Sequence, residues 1–340
     1  MTARMVEQVN TCEAESSTSA LPGARRRAAV VLAGGDGRRL EPYIRRLRGD
    51  ALPKQYVTLY GRHSLLERTF KRVERLVLPD RIMTVVTRDH LLYPDVCRQL
   101  ARRPAHTVVV QPRNRDTAPG LLLPLAYLQR RCEDAVVAVF PSDHYVNNDL
   151  ALMQRVDAAF RTVEARPELL VLVGVRPDAP ETDYGYVVPG LPISSDGLDD
   201  VWGVRRFIEK PGARQAAELM QHGALWNTSI LVFRLRMFMD LLWCVAPTLS
   251  LHFMEIVDAI DTPRVRDVID KIYQTVAPVN LSRGILELVS DRWPSRLAVL
   301  RVHDAFWSDW GVEHRILRDL RTIGLLWGNT APAGERARGS

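Results

Sequence analysis

The stretch from Ala28 to Tyr56 constrains this chain more than any other. Ala28 to Leu32 is a short apolar, β-branched run, the pattern of a strand buried on both faces. It breaks at Gly34, Gly35 and Gly37, where a backbone without Cβ atoms can turn tightly and present its N–H groups to an anion. Arg38 and Arg39 follow at once, and Lys54 stands behind Pro53. A glycine turn at the carboxyl end of a buried strand, with cations beside it, predicts a polyphosphate site. Two commoner motifs do not fit. A dinucleotide fingerprint needs a third glycine where Gly35-Asp-Gly-Arg-Arg-Leu40 has leucine, and a Walker A loop needs Gly-Lys-Ser/Thr where this chain has Gly37-Arg-Arg39. Taken alone, the stretch leaves open a glycine turn beside a solvated basic face.

The rest of the chain supplies a frame for that turn. Ile82 to Thr87, Thr107 to Gln111, Ala135 to Phe140 and Leu169 to Val175 read as further strands. Between them lie helical patterns: one opened by the capping box Ser64-Leu-Leu-Glu67 and running through Leu76, then Val96 to Arg102, Thr117 to Arg131 with Pro124 inside it, and Leu150 to Ala165. Strands alternating with helices predict a mostly parallel sheet flanked by helices, a Rossmann-like α/β fold. Past Val175 the rhythm changes. Tyr184 to Val188 and Val201 to Glu209 read as strands around a turn-rich Pro189 to Asp200, followed by a helix over Ala213 to Gln221 and a strand at Ile230 to Arg234. A helical sub-region over 235–290, a late strand at Leu297 to Val302 and a closing helix at Val312 to Leu320 complete a domain of 27–325.

Composition narrows the partners. The net charge of +6 suits an anionic ligand, and much of the excess sits in Arg25 to Arg27, Arg38, Arg39, Arg45, Arg46 and Arg48, close to the glycine turn in sequence. Nucleic acid would call for a wider basic surface interleaved with stacking aromatics, which the sequence lacks, so a small polyphosphate is the better match. No apolar run is long enough to span a bilayer. Residues 1–26 have no apolar core of a secretory signal and read as a disordered extension, with a loose tail over 329–340. The four cysteines are widely separated, which argues against a zinc site or a disulfide framework and fits a reducing cytoplasm.

Four further places carry candidate chemistry. Asp143, in Pro141-Ser142-Asp143-His144, follows a buried strand at the sheet edge where ligands bind in open parallel sheets, although an acid there can equally cap the next element. Asp309, in Trp307-Ser-Asp-Trp-Gly311, is either a second carboxylate for a metal or the cap of the closing helix. Two carboxylates beside a nucleoside triphosphate suit Mg²⁺, which takes few protein oxygens and shares the rest with phosphate and water. Glu209-Lys210 is an acid and a cation at a strand end, or a surface ion pair of little worth. Trp226-Asn227-Thr228-Ser229 offers an amide and two hydroxyls, suited to sugar hydroxyls or to a capped turn.

In their common order these segments resemble the sugar-1-phosphate nucleotidyltransferases, and specifically the mannose-1-phosphate guanylyltransferases. The resemblance runs from Ala28 to about Leu320 and rests on Leu32-Ala-Gly-Gly-Asp-Gly-Arg-Arg-Leu40, Pro53-Lys-Gln-Tyr56, Gln111-Pro-Arg-Asn-Arg-Asp-Thr-Ala-Pro119, Pro141-Ser-Asp-His144, Asp183-Tyr-Gly-Tyr186, Phe207-Ile-Glu-Lys-Pro211, Trp226-Asn227 and Trp307-Ser-Asp309. It implies a Rossmann-like enzyme that makes a GDP-sugar and pyrophosphate from GTP and a sugar 1-phosphate. The nucleotide would lie on Leu32, Ala33, Gly34, Gly35, Gly37, Arg38, Gln111, Arg115, Asp116, Thr117, Ala118 and Ser142. Arg39 would hold the departing phosphates, Lys54 would stabilise charge at the reacting ones, and Asp143 and Asp309 would carry Mg²⁺. Lys210 would hold the sugar phosphate, with Glu209 and Asn227 on sugar hydroxyls, and Gly185 and Tyr186 would complete that side. His144 is expected to be structural, since an ionised sugar phosphate needs no general base.

The chain also departs from the family pattern. Asp116 stands where asparagine is usual, and a carboxylate there would accept from the N1–H and N2 amine of guanine. Arg38 replaces threonine, Glu41 replaces tryptophan, and Ser229 stands where glycine is common. The β-helical or cupin-type extensions of many relatives are missing, which predicts a monofunctional chain, with a homodimer as an option the family suggests. A non-catalytic nucleotide-sugar-binding subunit is the competing class, and the retention of Arg39, Lys54 and both aspartates argues against it. The missing third glycine argues against a nicotinamide dehydrogenase. Glucose, fucose or heptose 1-phosphate remain alternatives for the sugar.

Overall fold

Arg27–Leu32 forms β1, and its side chains alternate between two cores, Ala29 and Val31 facing one and Ala28 and Val30 the other. Covering on both faces is why an apolar run without alternation is stable there. The computed structural model describes residues 26–193, 200–322 and 324. Of the expected extension over 1–26 only Arg26 is described, and residues 194–199 and the expected tail over 329–340 lie outside the described residues.

The remaining strands are β2 (Ile82–Thr87), β3 (Val108–Gln111), β4 (Val136–Pro141), β5 (Tyr145–Val146), β6 (Leu170–Val175), β7 (Gly185–Pro192), β8 (Val201–Glu209), β9 (Leu225–Arg234), β10 (Leu297–Val302) and β11 (Trp307–Ser308). The main sheet has nine strands in the order β3-β2-β1-β4-β9-β6-β10-β8-β7, while β5 and β11 form a small ribbon of their own. Helices α1 (Glu41–Arg48), α2 (Leu65–Val73), α3 (Pro94–Leu100), α4 (Thr117–Arg131) and α5 (Asp149–Ala165) fall in the first half. In the second half come α6 (Ala213–Gln221), α7 (Leu235–Val245), α8 (Pro247–Ala259), α9 (Val265–Thr275), α10 (Glu287–Arg292) and α11 (Glu313–Thr322).

The α/β class holds, with more antiparallel pairing than the strand–helix alternation predicts. Pairing is parallel across β3-β2-β1-β4 and between β6 and β10. Strand β9 enters between β4 and β6 against both, and β8 and β7 close the far edge as an antiparallel pair. Hairpin-like connections need no crossover helix, so the later strands leave no alternating signature in the sequence.

Two strand limits differ from the sequence reading. Strand β9 starts at Leu225, not Ile230, so Trp226 to Thr228 are buried strand residues and not a capped turn. Strand β7 continues through Pro192 into the segment expected to be turns. Helix α2 has the expected capping box, Ser64 Oγ accepting from Glu67 N at 3.1 Å and Glu67 Oε2 accepting from Ser64 N at 3.0 Å, but it stops at Val73.

Candidate active site

The glycine turn leaves β1 with its carbonyls tied down. Ala33 O accepts from Gln55 Nε2 (2.9 Å) and Tyr56 Oη (3.0 Å), Gly35 O from Gln55 Nε2 (2.8 Å), and Gly34 O from Thr87 Oγ1 (2.8 Å) and, at 3.4 Å, Gln111 Nε2. Thus the motif Pro53-Lys-Gln-Tyr56 serves partly as scaffold for the turn. The backbone N–H groups of Gly35, Asp36 and Gly37 have no acceptor among the described residues, which leaves them free to meet an anion. Gly34 has to be glycine for space, since a Cβ would lie 2.5 Å from Gln111 Nε2. Ser142 staples β4 to β1 by donating from N (3.2 Å) and Oγ (2.7 Å) to Leu32 O.

A cavity of about 410 Å³ opens beside this turn, lined by Leu32, Gly34, Gly35, Asp36, Val85, Gln111, Asn114, Asp116, Thr117 and Gly120. It sits at the carboxyl ends of β1 and β3, where an open sheet offers backbone groups to a ligand. Gln111 is buried there, with Nε2 on Thr87 Oγ1 at 2.9 Å and Oε1 without a donor. Asp116 caps α4 from a positive-φ backbone (φ 68°), its Oδ1 accepting from Thr117 N at 2.6 Å and Asn280 Nδ2 at 3.2 Å. Ala118 is fully buried behind it. Arg115 turns elsewhere, donating to the carbonyls of Tyr273 (2.9 Å) and Gln274 (2.8 Å), so its guanidinium fastens α9 rather than lining the cavity.

The segment before α11 brings Asp309 to Asp143. Strand β11 pairs with β5, Ser308 opposite Tyr145, and Trp310 stacks on Tyr145 with ring centroids 4.6 Å apart. Lys54, 4% exposed, links the two loops: Nζ reaches Asp143 Oδ2 at 2.9 Å and donates to Asp309 O (2.6 Å) and Trp310 O (3.1 Å). Its three hydrogens are therefore directed at protein acceptors. Asp309 Oδ1 takes three donors, Arg315 Nη1 (2.5 Å), Gly311 N (2.9 Å) and Tyr184 Oη (3.0 Å), while Oδ2 faces Arg39 Nη2 at 4.0 Å. Arg39 also contacts Asp183 Oδ2 at 3.4 Å and is about half exposed. Burial pushes both carboxyls up, but Lys54 and His144 around Asp143, and Arg315 and Lys54 around Asp309, outweigh it and hold both below the usual value. Burial also lowers the pKa of His144 despite Asp143 beside it. The ring stands edge-on to Trp307, which suits the structural role expected of it.

On the other side of Tyr184, Gly185 lies against Glu209: a Cβ there would fall 2.6 Å from Oε2. Burial, with Glu287 nearby, raises the Glu209 pKa, and Lys210 opposes the shift. Lys210 is exposed, in a left-handed backbone (φ 52°) fixed by its N–H on Tyr184 O at 3.1 Å. Asn227 is buried with Oδ1 accepting from Ser229 N at 3.1 Å. Tyr186 is a core residue, its hydroxyl donating to Glu181 O at 2.9 Å.

The fold thus gathers the turn, Gln111, Asp116 and Thr117 around one cavity, and Arg39, Lys54, Asp143 and Asp309 beside the turn. Much of the arginine excess does not contribute. Arg26 and Arg27 pair with Asp134, Asp157 and Glu164, Arg45 with Glu41, Arg46 with Glu313, and Arg48 with Asp50 and Asp95. Arg38 is the most exposed of the described members of the cluster, 3.4 Å from Asp36.

A family model described as nucleotidyl transferase matches residues 28–313. The chain belongs to the nucleotidyl transferase family. A mannose-1-phosphate guanylyltransferase of Klebsiella pneumoniae is 28% identical over 286 residues, covering 83% of this chain and 57% of that protein. The alginate biosynthesis protein AlgA of Pseudomonas putida is 35% identical over 218 residues, 62% of this chain and 42% of that protein. The chain spans about half the length of these curated relatives. A crystal structure from Thermus thermophilus, described as a mannose-1-phosphate geranyltransferase, superposes with a TM-score of 0.70 at 27% identity, over 84% of this chain and 76% of that one.

Nucleotidyl transferases generally work with a divalent cation, and the residues here fit one held jointly with the substrate. Asp143 Oδ1 and Asp309 Oδ2 are the carboxylate oxygens without a short protein hydrogen bond. No group of three or more His, Cys, Asp or Glu side chains among the described residues is placed to hold a metal. Two hard oxygens are a donor set that leaves phosphate and water to complete the shell. Residues that the sequence reading left without a role are Gln55, Thr87, Tyr184, Glu181, Asn280 and Arg315. Most of their partners are distant in sequence, and Gln55 and Tyr184, inside quoted motifs, carried a local signal.

Proposed function

We propose that this nucleotidyl transferase joins GTP to mannose 1-phosphate, forming GDP-mannose and diphosphate. The observation that carries the reading is the glycine turn, which lines a nucleoside-sized cavity with Gly34 and Gly35 and at Gly37 lies against Lys54, the residue that joins Asp143 to Asp309. The base would occupy the cavity between Gln111 and Asp116, and the triphosphate would lie along the turn toward Arg38 and Arg39. Mg²⁺ held by Asp143 and Asp309 would neutralise phosphate charge and polarise the α-phosphate. A sugar 1-phosphate, placed by Lys210, Glu209 and Asn227, is already ionised at neutral pH and needs no base. Its oxygen forms the new bond to the α-phosphorus while the bond to the β-phosphate oxygen breaks and diphosphate leaves with that electron pair. The chain's contribution is alignment and charge stabilisation. Guanine is favoured over adenine by the unpartnered Gln111 Oε1 and the Asp116 carboxylate, acceptors suited to the N1–H and N2 amine.

The test is diphosphate release by the full chain with Mg²⁺, crossing four nucleoside triphosphates with mannose, glucose, fucose and heptose 1-phosphates. Release with GTP and mannose 1-phosphate alone is expected, and another productive pair would revise the substrate. Silence across the grid, from protein that binds GDP-mannose, would favour a regulatory subunit. Asp116→Asn keeps an oxygen to cap α4 and replaces the other carboxylate oxygen with a donor. It should reduce the preference for GTP over ATP about tenfold, and an unchanged ratio would remove that role from Asp116.

A further inference from the structure

We propose that Arg315 is a positioning residue that fixes which oxygen of Asp309 faces the reacting phosphates. The inference rests on the proposed metal role of Asp309. Arg315 sits on the inner face of α11 and is 2% exposed. Its fork spans two carboxylates, Nη1 on Asp309 Oδ1 at 2.5 Å and Nη2 on Glu181 Oε2 at 2.9 Å, with Asp183 Oδ2 at 3.8 Å from Nη2. The guanidinium carbon lies 4.7 Å from the centroid of the Tyr184 ring, and the Tyr184 hydroxyl joins it on Asp309 Oδ1.

Loading three donors onto Oδ1 has a chemical consequence. Oδ2 becomes the oxygen left to bind a cation, and rotation about the Cβ–Cγ bond would break three hydrogen bonds at once. An outer partner of this kind orients a metal-binding carboxylate without touching the metal, and its loss weakens metal affinity more than it weakens the rest of the site. Lysine carries the same charge but cannot bridge Asp309 and Glu181 in one plane. Glu181 anchors the other end of the fork and lies outside the proposed catalytic and binding set, so neutralising it loosens the same geometry from behind.

The experiment measures, on the full chain, the Mn²⁺ concentration at half-maximal binding of GDP-mannose by calorimetry, with bound Mn²⁺ followed by electron paramagnetic resonance. Arg315→Lys is expected to raise that concentration about tenfold, with GDP-mannose affinity at saturating Mn²⁺ within roughly twofold of the parent. Glu181→Gln should shift it in the same direction by a smaller factor, which keeps the test available if the lysine variant does not fold. Arg27→Lys, in a remote ion-pair cluster, controls for lost stability and should leave the Mn²⁺ midpoint in place. The proposal is overturned if the folded variants retain the parent midpoint, or if Arg27→Lys moves it as far as Arg315→Lys does. Binding of GDP-mannose by the parent that ignores Mn²⁺ would instead sink the metal reading beneath it.

Discussion

Gly185 illustrates how a single residue couples backbone to chemistry. The absence of a side chain lets Glu209 Oε2 come close to the start of β7, and a methyl group would also meet the Phe207 ring at 3.2 Å. Gly185→Ala has to push Glu209 away, so the KM for the sugar 1-phosphate should rise roughly ten- to a hundredfold, the scale of a displacement near 1 Å. The KM for GTP should stay within about twofold, and equal losses for both substrates would contradict the assignment of Glu209 to the sugar side. The motif Asp183-Tyr-Gly-Tyr186 marks this glycine in the sequence. The motif Phe207-Ile-Glu-Lys-Pro211 marks Glu209 too, but not their contact, which joins two strands through the sheet register, Gly185 opposite Glu209.

At the scale of elements, legibility follows the range of the interactions that set each boundary. The start of α2 is local, since Ser64 and Glu67 satisfy each other's backbone N–H groups. Ser64→Ala should therefore cost about 1 kcal/mol, measured by urea unfolding, with little change in the m-value. The ribbon of β5 and β11 is the opposite case. Two-residue strands carry no periodic pattern, and Trp307 and Ser308 find their partners far back along the chain. Strand β9 likewise carries the polar Asn227 and Thr228 near its start because β6 and β7 flank that end, with Val175 and Tyr186 opposite Trp226 and Gly174 opposite Asn227. Polarity alone made that segment resemble a turn.

The whole molecule should register its site in the pH dependence of unfolding. Asp143 and Asp309 have folded pKa values below their unfolded ones, so the unfolded state binds more protons as pH falls. Their stabilising contribution is complete above the ordinary carboxylate value and disappears as pH drops through the lowered folded values. Thermal melts from neutral pH downward should show that loss, and Asp309→Asn should lower the neutral-pH plateau while flattening the acid slope. An acid slope identical to the parent's would mean that Asp309 is not held in its charged form by Arg315 and Lys54.

The sequence by itself determined the buried strands, the glycine turn and the order of the motifs, because each depends on residues a few positions apart. It also marked Asp143 and Asp309 as acids beside such elements. Only the tertiary structure decided that Lys54 lies between their loops, that Arg115 and much of the arginine excess serve ion pairs and packing, and that Arg315 grips Asp309. Those outcomes depend on which groups the fold brings together, and a buried charge such as Lys54 or Arg315 takes the partners that surrounding elements bring to it.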